Sequence, residues 1–204
     1  MATREAERSL LLERAEELAA VDAALADALA GAGRFAVIEG PAGIGKSSLL
    51  AEGRAGAADA GLSVLSARGT EIERAFSFGI VRQLFETLLA QAEASERARL
   101  LEGAAGHAGR LFEPEQLAGT APASEDAAFA LLHGLYWLTL NLAESRSLLI
   151  AIDDLQWADE ASLRWVSYLA RRLDGVAVGV LATVRPLAEE DPLLAELLAD
   201  QRRR

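Results

Sequence analysis

Residues 35–50 read FAVIEGPAGIGKSSLL. A short apolar strand, Phe35 to Glu39, runs straight into Gly40-Pro41-Ala42-Gly43-Ile44-Gly45-Lys46-Ser47, and a helix is predicted from about Lys46 to Ala60, stopped by Gly61. The loop satisfies G-x-x-x-x-G-K-[ST] in the strand–loop–helix context that the motif requires. Each residue type has a chemical reason. Glycines without a Cβ let backbone N–H groups turn inward and crowd an anion. The helix N-terminus adds unpaired donors and a partial positive charge. Lys46 supplies a mobile cation to the β- and γ-phosphates, and the Ser47 hydroxyl can ligate magnesium, with Ser48 beside it. The bland alternative is a glycine-rich turn that binds nothing. Four constrained positions out of eight, in the right context, argue against it. The loop therefore predicts binding of a nucleoside triphosphate with Mg2+, ATP or ADP being the expected nucleotides.

A triphosphate loop also needs a carboxylate for the hydrated metal and a group that orients or activates water. Ser147 to Ile152 is a continuous apolar run that ends in Asp153-Asp154, as suits a strand covered on both faces. Placed on a neighbouring parallel strand, its acids would end beside the loop. Asp153 is then the expected magnesium-shell ligand and Asp154 the general base. Alone, two acids at a strand end would more often serve a turn; the loop upstream shifts the balance. Trp157 reads as a packing residue and Asp159 as the cap of a helix that runs to Leu173. The last strand, Val176 to Thr183, is followed by Val184-Arg185-Pro186. Thr183 or Arg185 could reach the γ-phosphate there, against the plainer reading of a solvated arginine before a turn proline.

The rest of the chain alternates in the same way. A helix is predicted over residues 10–30, with Leu18, Val21, Leu25 and Leu29 on one stripe. Gly53 and Gly56 weaken the helix after the loop by roughly 1 kcal/mol each, so packing must compensate. Leu62 to Ala67 reads as a strand, Phe76 to Ala90 as a helix, and 91–123 as short helices and loops. Ser124 caps a helix to about Ser145 that is apolar nearly all round and so expected to be buried; Leu187 to Asp200 is a last helix. Alternating strands and helices imply an α/β fold of three layers, a parallel sheet flanked by helices.

Composition narrows the function. The 204 residues are 51% hydrophobic and 25% charged, with a formal net charge of −11 and no cysteine. A field of that sign repels phosphate backbones and anionic lipid, and thiolate metal sites are excluded. No secretion signal and no apolar run of about 18 residues is present, so no membrane span is predicted and a cytoplasmic location is expected. His107 and His133 are isolated; His133, Tyr136 and Trp137 read as core residues, and Phe76 and Phe78 as packing residues at a helix entry.

Taken together, LLERAEEL, VIEGPAGIGKSSLL, VLSARGTEIERAFSFGIVRQLFE, LLHGLYWLTLNLA, LLIAIDDLQWADEASLRWVSYLARRL and LATVRP resemble the nucleotide-binding domain of large LuxR-type transcriptional regulators. Those are signal-transduction ATPases with numerous domains, a branch of the AAA-like P-loop ATPases. The resemblance covers nearly the whole chain. It implies a strand order of 2-3-1-4-5, with the fifth strand missing here. It also implies that Leu12 and Arg14 lie near the base and that Arg185 senses the γ-phosphate. One ATPase domain is expected over 1–204: an N-terminal helix and base-side motif at 1–33, a P-loop core at 34–186 with a helical segment at 91–145, and a terminal helix and tail at 187–204. Family members continue through a lid, helical repeats and a DNA-binding helix-turn-helix, so the chain reads as a truncated member. The implied function is a slow ATPase switch, with nucleotide-dependent self-association as a further expectation. The alternatives are a kinase or fast ATPase, for which 91–123 offers only Arg97, Arg99 and Arg110, and a non-catalytic nucleotide-binding remnant.

Overall fold

The computed structural model describes residues 14–113, 124–186 and 191–202. Four parallel strands form one sheet: β1 (Phe35–Glu39), β2 (Ser63–Arg68), β3 (Leu148–Asp153) and β4 (Val178–Val184). The described helices are α1 (Ala15–Leu29), α2 (Lys46–Asp59), α3 (Gly79–Gln91), α4 (Ala94–Leu100), α5 (Gly106–Gly109), α6 (Glu125–Ala143), α7 (Glu160–Ala170) and α8 (Pro192–Arg202).

Alternation along each strand divides the side chains between two helical layers. Leu149, Ala151 and Leu181 point to one face, where they pack with Val21 and Leu25 of α1 and Leu49 and Leu50 of α2. Leu148, Ile150, Ile152, Val180 and Ala182 point to the other, against Leu84 and Phe85 of α3, Leu135 and Leu138 of α6, and Trp165 and Val166 of α7. The expected three-layer α/β architecture with a parallel sheet is what forms. Gly53, in the middle of α2, has its physical reason here: a Cβ would lie 2.8 Å from Leu181 Cδ2 and 3.0 Å from Val21 Cγ1. The close approach of α2 to the sheet offsets the helix-propensity loss.

The lateral order differs from expectation. The sheet runs β2-β3-β4-β1, not 2-3-1-4. β4 therefore separates the loop-bearing strand from the acid-bearing strand, and Asp153 ends one strand further from the loop than supposed. The reason is burial. All seven residues of β4 are buried, which demands neighbours on both sides and cover on both faces. β1 is only half-buried and sits at the edge of the described sheet. Apolar runs mark strands but carry no information on which lies beside which.

Two helices also depart from expectation. α3 begins at Gly79, not Phe76, because Phe78 takes a left-handed φ of 62°. Phe76 stays exposed, while Phe78 is buried. α6 is not enclosed all round. Phe129 and Trp137 stand on its solvent face, and His133 between them is only partly buried. Trp137 is thus no core residue. Its indole N–H donates to His133 Nε2 at 3.0 Å, and His133 Nδ1 lies 3.0 Å from the Tyr168 hydroxyl. An indole can only donate, so Nε2 accepts and the proton resides on Nδ1. Ser124 and Asp159 cap α6 and α7 as their side chains suggest.

A candidate nucleotide site at the carboxyl end of the sheet

Strand register builds the site. Arg68 pairs with Asp153 across β2 and β3, and Ile152 pairs with Ala182 across β3 and β4, which sets Asp153 beside Thr183; Thr183 in turn pairs with Ile38, two residues before Gly40. Arg68, Asp153 and Thr183 share the sheet face that packs on α2, the helix that opens from the glycine loop. A row of polar side chains is thereby laid along the sheet end beside that loop.

Hydrogen bonds join the row. The Ser47 hydroxyl donates to Asp153 Oδ1 at 3.1 Å, and the Thr183 hydroxyl donates to the same oxygen at 2.7 Å. Thr183 Oγ1 accepts from the Asp154 backbone N–H at 2.8 Å. Loop serine and strand carboxylate, 106 residues apart in sequence, thus converge on one point. That pair fits a magnesium ion that keeps most of its waters and takes few protein ligands. Among the described residues no cluster of three acidic or histidine side chains would hold a metal alone, so phosphate oxygens would complete such a shell.

The loop is preformed for an anion. Gly43 and Gly45 have φ of 78° and 88°, a region costly for any residue with a Cβ. Lys46 is buried, and its ammonium donates to the carbonyls of Gly40 at 2.7 Å and Pro41 at 2.8 Å. An ammonium has three donors, so one remains for a phosphate. Arg14 donates from Nη2 to the Ile44 carbonyl at the loop tip. It is therefore placed on the loop, while Leu12 lies outside the described residues. Pro41 and Ala42 lie in the loop, and Ser48 in the first turn of α2.

Asp154 sits at the centre of a second group. Its backbone is left-handed, with φ 53° and ψ 49°, a conformation Asp tolerates better than most residues. That twist swings its carboxylate back over the sheet end. Gln156 Nε2 donates to Oδ1 at 2.8 Å, Arg185 Nε lies 3.6 Å from Oδ1, and Arg68 Nη2 lies 3.5 Å from Oδ2. Arg185 Nε is buried without a hydrogen-bond partner, a donor held in reserve beside the acids. Arg68 also reaches Asp153, Nε to Oδ2 at 3.8 Å. Both carboxylates are thus offset by guanidinium groups in an otherwise acidic chain.

Arg68 and Gln156 were not singled out from the sequence. The signal for Arg68 was available: it ends a parallel strand and is followed by glycine, the same position Asp153 holds on β3. Gly69 lets the chain cross tightly there, since a Cβ would meet the Asp154 carbonyl oxygen at 2.5 Å. Gln156 had no signal, because only the left-handed turn at Asp154 brings it back onto the acid. Asp159 does more than cap α7. Its carboxylate also accepts from Phe78 N at 2.7 Å and Gly79 N at 2.8 Å, and so holds the start of α3 against the acid turn.

Comparisons with known proteins give a family. A family model described as an AAA ATPase domain matches residues 10–181. No curated protein matches the chain. Among solved structures, that of the Aeropyrum pernix ORC2 protein in ADPNP–ADP complexes is 21% identical, covering 90% of this chain and 45% of that one, at a TM-score of 0.49. Drosophila ORC bound to AT-rich DNA and Cdc6 is 13% identical, covering 93% and 58%, at a TM-score of 0.36. The chain spans about half the length of either. The family match takes in the glycine loop, Arg68 and both strand-end acids, and by it the chain belongs to the AAA ATPase domain family.

Proposed function

We propose that the chain binds ATP with Mg2+ and hydrolyses it slowly, as the nucleotide switch of a signal-transducing transcriptional regulator. The observation that carries this is the convergence of Ser47 and Thr183 on one oxygen of Asp153, one residue from a second acid flanked by cations. Magnesium, when bound, would neutralise charge on the phosphate oxygens. Ser47 and Asp153 would hold its shell, and Lys46 and the loop amides the β- and γ-phosphates. Asp154 would take a proton from a water whose oxygen bonds to the γ-phosphorus as the bond to the β–γ bridging oxygen breaks, leaving that oxygen on ADP. Thr183 and Arg185 would report whether the γ-phosphate is present. Arg14, with Leu12, would mark the base side.

A switch is favoured over a kinase by where the arginines go. Arg97 donates to the Leu89 carbonyl, and Arg99 to Glu96 and the Asn141 carbonyl. They serve the helical layer, not a lid over phosphates. In a longer relative a helix-turn-helix would carry DNA binding, and ATP would drive self-association. The cytoplasm is the fitting compartment; no described helix is long and apolar enough to cross a membrane.

Calorimetry of the full chain with ATP and Mg2+, against Lys46→Ala, tests the binding. Saturable heat is expected from the native chain and none from the variant. Equal heats, or none from well-folded native protein with either ATP or GTP, would overturn the reading. Single-turnover rates well above about 1 per second would favour the fast-enzyme alternative instead.

A further inference from the structure

A groove of 410 Å³ leaves the site on the side of α2, between that helix, the end of β2 and α3. Its floor is made of small residues, among them Ala51, Ser66, Ala67 and Ala151, and so stays open. Ser47 and Asp153 stand at its inner end, and Arg68 and Arg54 line it. Arg54 lies seven residues along α2 from Ser47, about 10 Å at the helical rise, and on the same face. It stands too far along the helix to be a primary contact of a loop-bound triphosphate.

Arg54 is exposed, and among the described residues it has no hydrogen bond or ion pair. In a chain with 31 acids against 20 lysines and arginines, the chance of a nearby carboxylate is high, so an arginine left to a cavity is informative. Arg68 is pinned beneath it. Its backbone N–H donates to Gln83 Oε1 at 2.9 Å, and its carbonyl accepts from Gln83 Nε2 at 3.1 Å. Its guanidinium reaches both acids, Asp153 at 3.8 Å and Asp154 at 3.5 Å, and so offsets their charge at the groove's inner end. Two guanidinium groups and the Ser66 hydroxyl around an open floor of small residues suit a tetrahedral oxyanion.

We propose that this groove is a binding site for inorganic phosphate, held by Arg54 and Arg68 on the way out from the γ-position. The source of the ion rests on the hydrolysis proposed above; the site itself does not. Water supplies the fourth oxygen when the γ-phosphoryl group leaves ADP, and the resulting phosphate moves along α2 instead of back through the nucleotide.

The test is equilibrium dialysis of the full chain with labelled inorganic phosphate at fixed ionic strength. Lys46→Ala weakens the loop's own hold on phosphate, so the Arg54-dependent part of the binding that survives it reports the groove. Phosphate is expected to bind the Lys46→Ala chain, and Arg54→Glu in that background is expected to weaken it by at least roughly tenfold, with Arg54→Gln intermediate. In the otherwise native chain Arg54→Glu should leave ATP affinity unchanged and relieve inhibition of turnover by added phosphate. Loss of phosphate binding in Lys46→Ala alone, or equal binding with and without Arg54, overturns the proposal. Arg54-dependent phosphate binding in a native chain that shows no turnover would uphold the site and refute the hydrolysis, which separates the two readings.

Discussion

Two regions of this molecule invert the usual sorting of polar and apolar groups, in opposite directions. At the carboxyl end of the sheet, Thr183 is 0%, Lys46 6% and Asp154 9% exposed. On the outer face of α6, Phe129 is 57% and Trp137 40% exposed. The first inversion is held by everything around it: strand register, four hydroxyl or amide bonds, and guanidinium groups on two carboxylates. The second is held by its own rings. His133 stacks on Phe129 at 5.9 Å and 8°, and meets Trp137 and Tyr168 edge-on at 6.2 and 6.4 Å. A buried polar group must be paired, so its surroundings are over-determined. An exposed aromatic carries no such demand. The difference predicts where substitutions will be costly.

The largest effect belongs to Asp154→Asn. Asn tolerates the left-handed backbone as Asp does and keeps the N–H that Thr183 accepts, so the fold should not change. The proton acceptor is removed, together with the charge that faces Arg68 and Arg185. Turnover should fall about 10²- to 10⁴-fold with ATP affinity retained, as read by single-turnover hydrolysis beside calorimetry. Unchanged hydrolysis would remove Asp154 from the role of base. Next comes an aromatic of the opposite kind from Phe129. Phe85 is fully buried on α3, edge-on to Trp165 at 5.6 Å and to Phe112 at 6.3 Å. Phe85→Ala should cost about 3–5 kcal/mol in denaturant unfolding. A cost like that of a surface change would break the contrast between inner and outer rings.

The two regions were also unequally legible. The glycine loop carries its meaning in eight consecutive residues, because the chemistry of a phosphate cradle is local. Asp153 and Asp154 were legible as the end of an apolar run. Their relation to the loop was misjudged by one strand, because lateral order depends on which strand needs burial on every side, as β4 does. Arg68 and Gln156 act only through folding: one through register across the sheet, the other through the turn at Asp154. α6 misled for a different reason. Its residues are apolar nearly all round, and periodicity alone gave no polar face to turn outward. Its inner face is marked by Gly134, where a Cβ would lie 2.8 Å from the Ala108 backbone, so α5 packs closely against it there.

Thr183→Val probes the polar inversion at intermediate size. The side chain keeps its shape and loses its hydroxyl. The Asp154 N–H is then left buried and unpaired, and Asp153 loses its shortest donor. A stability loss of about 1–3 kcal/mol is expected, against nearly nothing had the hydroxyl faced water. The loss should persist when ATP and Mg2+ saturate the chain, since a ligand that binds only the folded state stabilises both forms equally at equal affinity, and it should grow if the variant binds ATP more weakly.

The smallest effect is expected at Phe129→Ala. The ring covers one face of His133 and meets Tyr168 edge-on at 6.0 Å, yet more than half of its surface is already in water. Little apolar area is lost, and no polar group is stranded, because the Trp137 and Tyr168 bonds to His133 do not involve it. The change should cost at most about 1 kcal/mol, seen as a small shift of the unfolding midpoint at constant slope. A loss as large as that at Phe85 would mean that the outer rings form a true part of the core, and that the two inversions are held by the same kind of constraint after all.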